Sequence, residues 1–359
     1  MPRKILMPVR TVADWGGVHE WTVEAAKALI ANGNEVTFVG EGELFQQRVE
    51  ATGAYFYPIT WNKTKEHTNQ ILEDVDFDLI FSHAPAGREL GLRLSRKKPT
   101  EHVVMVHGAY HDRMFEWQSE VDAFLAASPS LVHFVQRYGR VDPWKVTCLP
   151  NAAPDRLFTQ RPLSLKEKTA DGEAIILTAS RLSTDKIPQI DAVERVARFL
   201  ANREPDLKWR ILAYGDGPAR TYFEARYRNL CREIPNLSVS LPGWLSPDEV
   251  PLAMRRAVVV VTAGMAGMRA GGSGTLMVGA GANATVGVQF GTNLRAGLWS
   301  NFGDHGIQRF QPTEIESDLE YIWSADVYDV VTTTTQNVLA ATHQQSMIDR
   351  LMLGALQCV

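Results

Sequence analysis

The segment Ala174 to Lys186, AIILTASRLSTDK, constrains the chain more than any other. Ala174 to Ala179 is a short, mostly apolar run without two-residue alternation, the pattern of a strand covered on both faces in a parallel sheet. The run stops at Ser180. Arg181 follows at once and Lys186 five residues later, ahead of the helix-like stretch DAVERVARFL (Asp191 to Leu200). At the carboxyl end of a parallel strand, this order aims a guanidinium fork and an ammonium into the crevice where such sheets bind ligands. A diphosphate is the natural client of two fixed cations. The other reading is a pair of ordinary solvated charges after a strand.

The same alternation runs through the chain. KILMPV (Lys4 to Val9) reads as an opening buried strand, and Gly16 and Gly17 precede a helical stretch that stops at Asn32 and Gly33. EVTFVG (Glu35 to Gly40) is the next strand, which completes a strand, glycine turn, helix, strand unit, the start of a doubly wound sheet. Strands in DFDLIFSHAP (Asp76 to Pro85) and HVVMVHGAYHD (His102 to Asp112) place His83 and His107 at strand ends. A lone histidine on an apolar face is usually a satisfied core residue. Two at equivalent ends of separate strand and helix units are candidates for chemistry. VDAFLAASPSLVHFVQRYG (Val121 to Gly139) and WKVTCLPNAAPDRLF (Trp144 to Phe158) close the first half, and RPLSLKEKTADGE (Arg161 to Glu173) reads as a linker. WRILAYGDGPAR (Trp209 to Arg220), LSVSLPGWLSPDEVPLAMRRA (Leu237 to Ala257) and VVVVTAG (Val258 to Gly264) repeat the alternation, and two helices end the chain.

At 359 residues the length favours two domains. A net charge of -4 supplies no global basic field, which disfavours non-specific nucleic-acid binding. Cys148, Cys231 and Cys358 are far apart and without a paired spacing, so they read as reduced thiols rather than a disulfide frame or a zinc site. No run of eighteen apolar residues occurs and the start MPRKILMPV lacks a signal peptide's apolar region, so a cytoplasmic location is expected. The cluster Arg88, Arg93, Arg96, Lys97 and Lys98 reads either as a solvated helix face or as a peripheral contact for an anionic membrane surface.

The segment SRLSTDKI resembles the donor-diphosphate motif of family-four glycosyltransferases, GRL followed a few residues later by KG, with Ser180 and Ile187 in place of the glycines. Other elements in the same order are similar to that family. The opening glycine turn and NGNEVTFV match its start, and Asn151, Asp155 and Phe158 fall in register with its crossing segment. YGDGPAR resembles its GDGP turn, and SLPGWLSPDEV its next strand, glycine and helix start. The resemblance implies an α/β fold of GT-B architecture, two Rossmann-like doubly wound domains facing a central cleft. It divides the chain into residues 1 to 160 (acceptor domain), 161 to 335 (donor domain) and a last helix, 336 to 359, that crosses back. It also implies that Arg181 and Lys186 stabilise the donor diphosphate, that His107 faces the donor sugar, and that Gly16 and Gly17 approach the donor phosphate or the acceptor. Gly243 and the backbone of Trp244 and Leu245 would lie by the nucleotide base.

One signature is missing. The family carries a Glu, seven residues and a second Glu after the strand matched by Val258 to Val261, the first near the donor sugar and the second on the ribose. Here no acidic residue occurs between Glu249 and Asp304. Alignment puts Ala270 and Val278 in the two places, with Ser273 reached by a small shift. Seven glycines among residues 264 to 283 suggest a backbone-lined pocket or a mobile loop. Gly271, Gly272, Ser273, Gly274 and Thr275 are its candidates for donor phosphate or sugar contacts through main-chain N–H groups.

The function implied is a retaining hexosyl- or pentosyltransferase, metal-independent and without a cofactor, whose substrate is a nucleotide diphosphate sugar. The acceptor is open among a glycan, a lipid-linked sugar, a small molecule and a modified base. The alternatives are a non-catalytic GT-B protein that binds a nucleotide or glycan as a partner subunit, and sugar transfer onto a modified nucleic-acid base. The sequence carries no signal for an oligomeric state.

Overall fold

The computed structural model describes residues 2–11, 15–307 and 309–358. Residues 12–14 of the first glycine-bearing turn lie outside the described residues. The chain forms two compact units, Met1–Pro150 with Ile348–Val359, and Asn151–Met347.

The first unit holds one seven-stranded sheet: β1 (Lys4–Pro8), β2 (Glu35–Gly40), β3 (Tyr55–Pro58), β4 (Leu79–His83), β5 (Glu101–Val106), β6 (Ala123–Ala126) and β7 (Val146–Cys148). Their order is β3-β2-β1-β4-β5-β6-β7, parallel throughout. The central strands read as uninterrupted apolar runs because both faces are covered, and Leu6, Phe81 and Val103 have no exposed surface. Strand order reverses between β1 and β4, the place where sheets of this class leave a crevice at the carboxyl edge. The helix Gly17–Ala31 joins β1 to β2 and ends where Gly33 turns left-handed, at φ +85°. The terminal part of the helix Gln345–Gln357 belongs to this unit, and Arg3 donates to the Leu356 carbonyl at 2.9 Å.

The second unit holds β8 (Glu173–Ala179), β9 (Lys208–Tyr214), β10 (Leu237–Gly243), β11 (Val259–Thr262), β12 (Leu276–Ala280) and β13 (Thr285–Val288). Their order is β10-β9-β8-β11-β12-β13, parallel except for the antiparallel pair β12 and β13. Order reverses between β8 and β11. The helix Ile187–Arg203 follows β8, with Ile190, Val193, Val196, Ala197 and Leu200 buried at helical spacing against the sheet.

Three expectations are revised. Residues 161–173 are not a linker: they fall inside the second unit, where Ser164 and Glu167 form a capping box on the helix Leu165–Lys168. Lys168 is buried there and donates to the Ala257 carbonyl at 2.7 Å and to Thr275 Oγ1 at 3.0 Å. Burial, helped by the Arg255 charge, lowers its pKa to about 7. The glycine-rich stretch is no loop either. It folds as the helix Gly264–Gly272 and then β12, nearly all of it buried. Its glycines serve close packing, since a Cβ on Gly272 would stand 3.2 Å from Ala153 and 3.4 Å from Phe158. Finally, the basic cluster on the helix Ala84–Lys97 is not one surface patch. Arg88 is buried in an ion pair with Asp112 and lies 4.2 Å from the Trp117 ring centre, while Arg96 pairs with Glu120. No helix among the described residues is long and apolar enough to cross a membrane.

Candidate functional site

At the carboxyl edge of the first sheet, the parallel pairing of β4 with β5 sets His83 beside Met105. His107, two residues further on, then faces His83, and their ring nitrogens Nδ1 and Nε2 share a hydrogen bond of 3.0 Å. His83 is fully buried between Phe81 and Trp21, at ring-centre distances of 4.4 and 5.5 Å. Burial, then the neighbouring His107, pushes its pKa well below the ordinary value. It is therefore neutral at pH 7. His107 is only half-buried and rests edge-on against Trp21 at 5.2 Å. Of the two histidines singled out in the sequence, one is thus fully buried and the other partly exposed. Gly16 is the extended N-cap of the helix Gly17–Ala31, at φ -178°, and a Cβ on Gly16 or Gly17 would have no atom within 4 Å. Glycine is not demanded there by conformation or by space.

At the carboxyl edge of the second sheet, β8 runs into Ser180 and Arg181. Ser180 N donates to the Tyr214 carbonyl at 3.1 Å, and Leu182 N to the Asp216 carbonyl at 3.0 Å, so the segment after β8 is stitched to the turn after β9. That stitching explains the turn's glycines. Gly215 and Gly217 have φ +123° and +157°, and a Cβ on either would overlap the carbonyl oxygen of Ser180 or Leu182. Gly215 N donates in turn to the Gly243 carbonyl at 2.8 Å, which ties in the end of β10 and leaves the following Trp244 side chain exposed.

Arg181, 32% exposed, donates from Nε to Ser183 Oγ at 3.1 Å and faces Asp185 at 3.4 Å. Asp185 is partly buried, which opposes its ionisation. The Ser183 hydrogen bond and the charges of Lys186 and Arg181 outweigh that and hold its pKa below the usual value. Lys186 caps the helix Ile187–Arg203 and lies 2.7 Å from Asp304 Oδ1. Both cations expected from the sequence thus stand together at the β8/β11 switch point, each with a carboxylate partner.

Asp304 is the residue that sequence reasoning missed. It belongs to a turn in which Asn301, Phe302 and Gly303 are successively left-handed, at φ +56°, +58° and +96°. For the two non-glycine residues this costs about 1–2 kcal/mol each, and surrounding contacts must hold it. They do: Asn283 N and Ala284 N donate to the Gly303 carbonyl at 2.9 and 3.0 Å, and Asn151 Nδ2 donates to Asn301 Oδ1 at 2.9 Å. Gly264 N donates to the Asn301 carbonyl at 3.1 Å, which fixes the turn against the start of the helix Gly264–Gly272. The one signal in the sequence was that Asp304 ends a stretch without acids; nothing local showed where it would go.

Gly271, Gly272, Ser273, Gly274 and Thr275 are not brought to this edge. They end the helix and lead into β12, so they lie at the amino-terminal end of the strand, buried. Thr275 Oγ1 donates to the Met254 carbonyl at 2.7 Å, and Gly274 turns at φ +68° with Pro162 in the space of a side chain. The residues after β11 at the ligand edge are instead Ala263, Gly264, Met265 and Ala266, with no carboxylate among them. Ala270 is buried inside the helix and Val278 inside β12, so neither stands at a helix start. Among the described residues no group of three or more His, Cys, Asp or Glu gathers as a metal site.

Two doubly wound units with ligand-type edges are the architecture of GT-B proteins, and solved structures of that class superpose on the whole chain. A glycosyltransferase from Rickettsia africae ESF-5 matches with a TM-score of 0.71 at 13% identity, over 98% of this chain and 97% of that one. Anabaena HepE in complex with UDP and glucose matches at 0.72 and 14%, over 99% and 100%. Sucrose-phosphate synthase from Thermosynechococcus elongatus matches at 0.68 and 14%, over 99% and 98%. The fold is GT-B. Residues 15–155 match the family model described as Glycosyltransferase Family 4. No curated protein matches the chain in sequence.

The buried histidines make stability depend on pH. Burial lowers His83 well below 6.5, burial and then the Arg88 charge lower His102 to about 3, and burial lowers His343 to about 4. Above 6.5 folded and unfolded forms are both neutral and nothing is lost. Below it the unfolded chain takes protons that the folded chain refuses. Stability should therefore fall from pH 6.5 toward 4, by up to about 1.4 kcal/mol per pH unit for each histidine. Urea midpoints at pH 7.5, 6.5, 5.5 and 4.5 check this, and an unchanged midpoint at 5.5 would contradict it.

Proposed function

We propose that this chain is a glycosyltransferase that takes its sugar from a nucleotide diphosphate sugar. The observation that carries the reading is Arg181 and Lys186 standing together at the β8/β11 switch point, the second beside a helix start. As the glycosidic bond breaks, the leaving diphosphate gains negative charge, and two preplaced cations stabilise that state more than the ground state. Each is held by carboxylates in the free protein, a pairing that a diphosphate can replace. Transfer with retention needs no protein base when the departing phosphate oxygen takes the acceptor's proton. His107, supported by the buried neutral His83, is assigned to the sugar being transferred. The acidic gap before Asp304 favours a second reading, a GT-B protein that binds the nucleotide without turning it over.

Charge-assisted hydrogen bonds contribute about 1.5–3 kcal/mol each, so Arg181→Ala should weaken nucleotide diphosphate binding at least about tenfold. Titration calorimetry with UDP, GDP and ADP on the folded variant measures it, and unchanged affinity removes Arg181 from the site. His107→Ala should lower turnover far more than nucleotide affinity. The assay is sugar release or transfer from UDP-, GDP-, ADP- and TDP-sugars, with the rate of the unmodified protein the same in EDTA as in manganese. Dependence on the metal would overturn the metal-independent mechanism, and tight binding without turnover of any donor would put the non-catalytic reading first.

A further inference from the structure

Residues 250 to 303 contain no acid, yet a carboxylate stands at the ligand edge of the second sheet, delivered by a turn far along the chain. Asp304 Oδ1 is engaged twice, by Lys186 Nζ at 2.7 Å and by Ala282 N at 3.2 Å. Oδ2 has neither of these partners. It points at Gly264, 2.9 Å from where a Cβ would sit, at the start of the helix after β11. The side chain is 24% exposed, so it is held but reachable. Asp185 lies 3.8 Å from the same ammonium but also serves Arg181 at 3.4 Å, so it does not neutralise Lys186 alone; the Lys186 contact uses Oδ1 of Asp304 and leaves the placing of Oδ2 unexplained. Nor are three successive left-handed residues a conformation that a chain adopts without contacts to fix it.

The chemistry of the neighbours narrows what Oδ2 can take. Beside two cations assigned to a diphosphate, a carboxylate repels a phosphate oxygen and has no proton to give it. It accepts only. A hydroxyl donor fits, and a sugar attached to the diphosphate brings several within reach of the same edge. We propose that Asp304 is the residue by which this site distinguishes a diphosphate that carries a sugar from one that does not, accepting a hydrogen bond from a hydroxyl of the donor sugar through Oδ2 while Lys186 turns to the phosphate. The inference rests on the nucleotide-sugar reading of Arg181 and Lys186. It assigns to Asp304, from a different part of the chain, the carboxylate that the segment after β11 lacks.

The test compares paired ligands on the full chain by calorimetry: UDP with UDP-glucose, GDP with GDP-mannose, and ADP with ADP-glucose. Asp304→Asn keeps an oxygen for Ala282 N and removes the charge. It should bind the bare nucleotide as tightly as the unmodified protein or more tightly, since a repelling charge is gone. The nucleotide sugar should lose about tenfold in affinity relative to its bare nucleotide. Asp304→Ser, smaller and without charge, should shift the ratio the same way, which separates the effect from any misfolding of one variant. If both members of a pair shift together, Asp304 acts only as the Lys186 counter-ion and the inference is overturned. If the ratio stays at its original value, it is overturned likewise. Should the unmodified protein bind none of the six ligands, the nucleotide-sugar reading itself fails, a result distinct from binding with an unchanged ratio.

Discussion

The second unit depends on β8 being paired along both edges. It meets β9 over seven residues on one side and β11 on the other, with Ala174, Ile176 and Leu177 wholly buried. A strand so enclosed has no freedom in where it ends. The segment after it is fixed by backbone bonds to the turn after β9, and the two glycines of that turn exist because side chains there would strike the Ser180 and Leu182 carbonyls. Arg181 and Lys186 inherit their positions from this. Preorganised cations of that kind are what a leaving diphosphate needs, because reorganisation at the moment of reaction would consume the stabilisation they give.

The first unit shows the same logic with a different chemistry. Parallel pairing of β4 and β5 brings two histidines to one sheet edge, and burial decides which does what. His83, enclosed by Phe81 and Trp21, stays neutral and holds its neighbour, and His107 remains half-buried. The cost is the pH sensitivity that comes from keeping an imidazole away from water.

A carboxylate reaches the carboxyl edge of the second sheet from another part of the fold. The region after β11 is a helix in which Gly267, Gly271 and Gly272 meet Phe302, Leu339, Ala153 and Phe158, with no room for long acidic side chains at those three positions. Gly264 leaves a space at the helix start, and Asp304 Oδ2 faces it. The turn that delivers Asp304 is held by contacts from residues 151, 264, 283 and 284 together, so its conformation is a product of the assembled unit.

The architecture and the two cations were determined by the sequence itself. Short apolar runs without alternation, each closed by glycine or charge and followed by a helical stretch, specify parallel strands covered on both faces, and a residue placed directly after such a strand has one edge to occupy. Arg181, Lys186, His83 and His107 were legible for that reason. The glycine-rich stretch, read as a backbone-lined pocket or a mobile loop, is a packed helix and strand, because glycine signals both mobility and close packing and only neighbours such as Leu339 and Phe158, distant in sequence, separate the two. Asp304 was out of reach of any local pattern. Its partner Lys186 lies 118 residues away, and the left-handed turn between Ser300 and Asp304 is held by Gly264 after β11 and by Asn283 and Ala284 after β12. Tertiary structure decided that contact because its energy comes from groups that meet only after the sheet has formed.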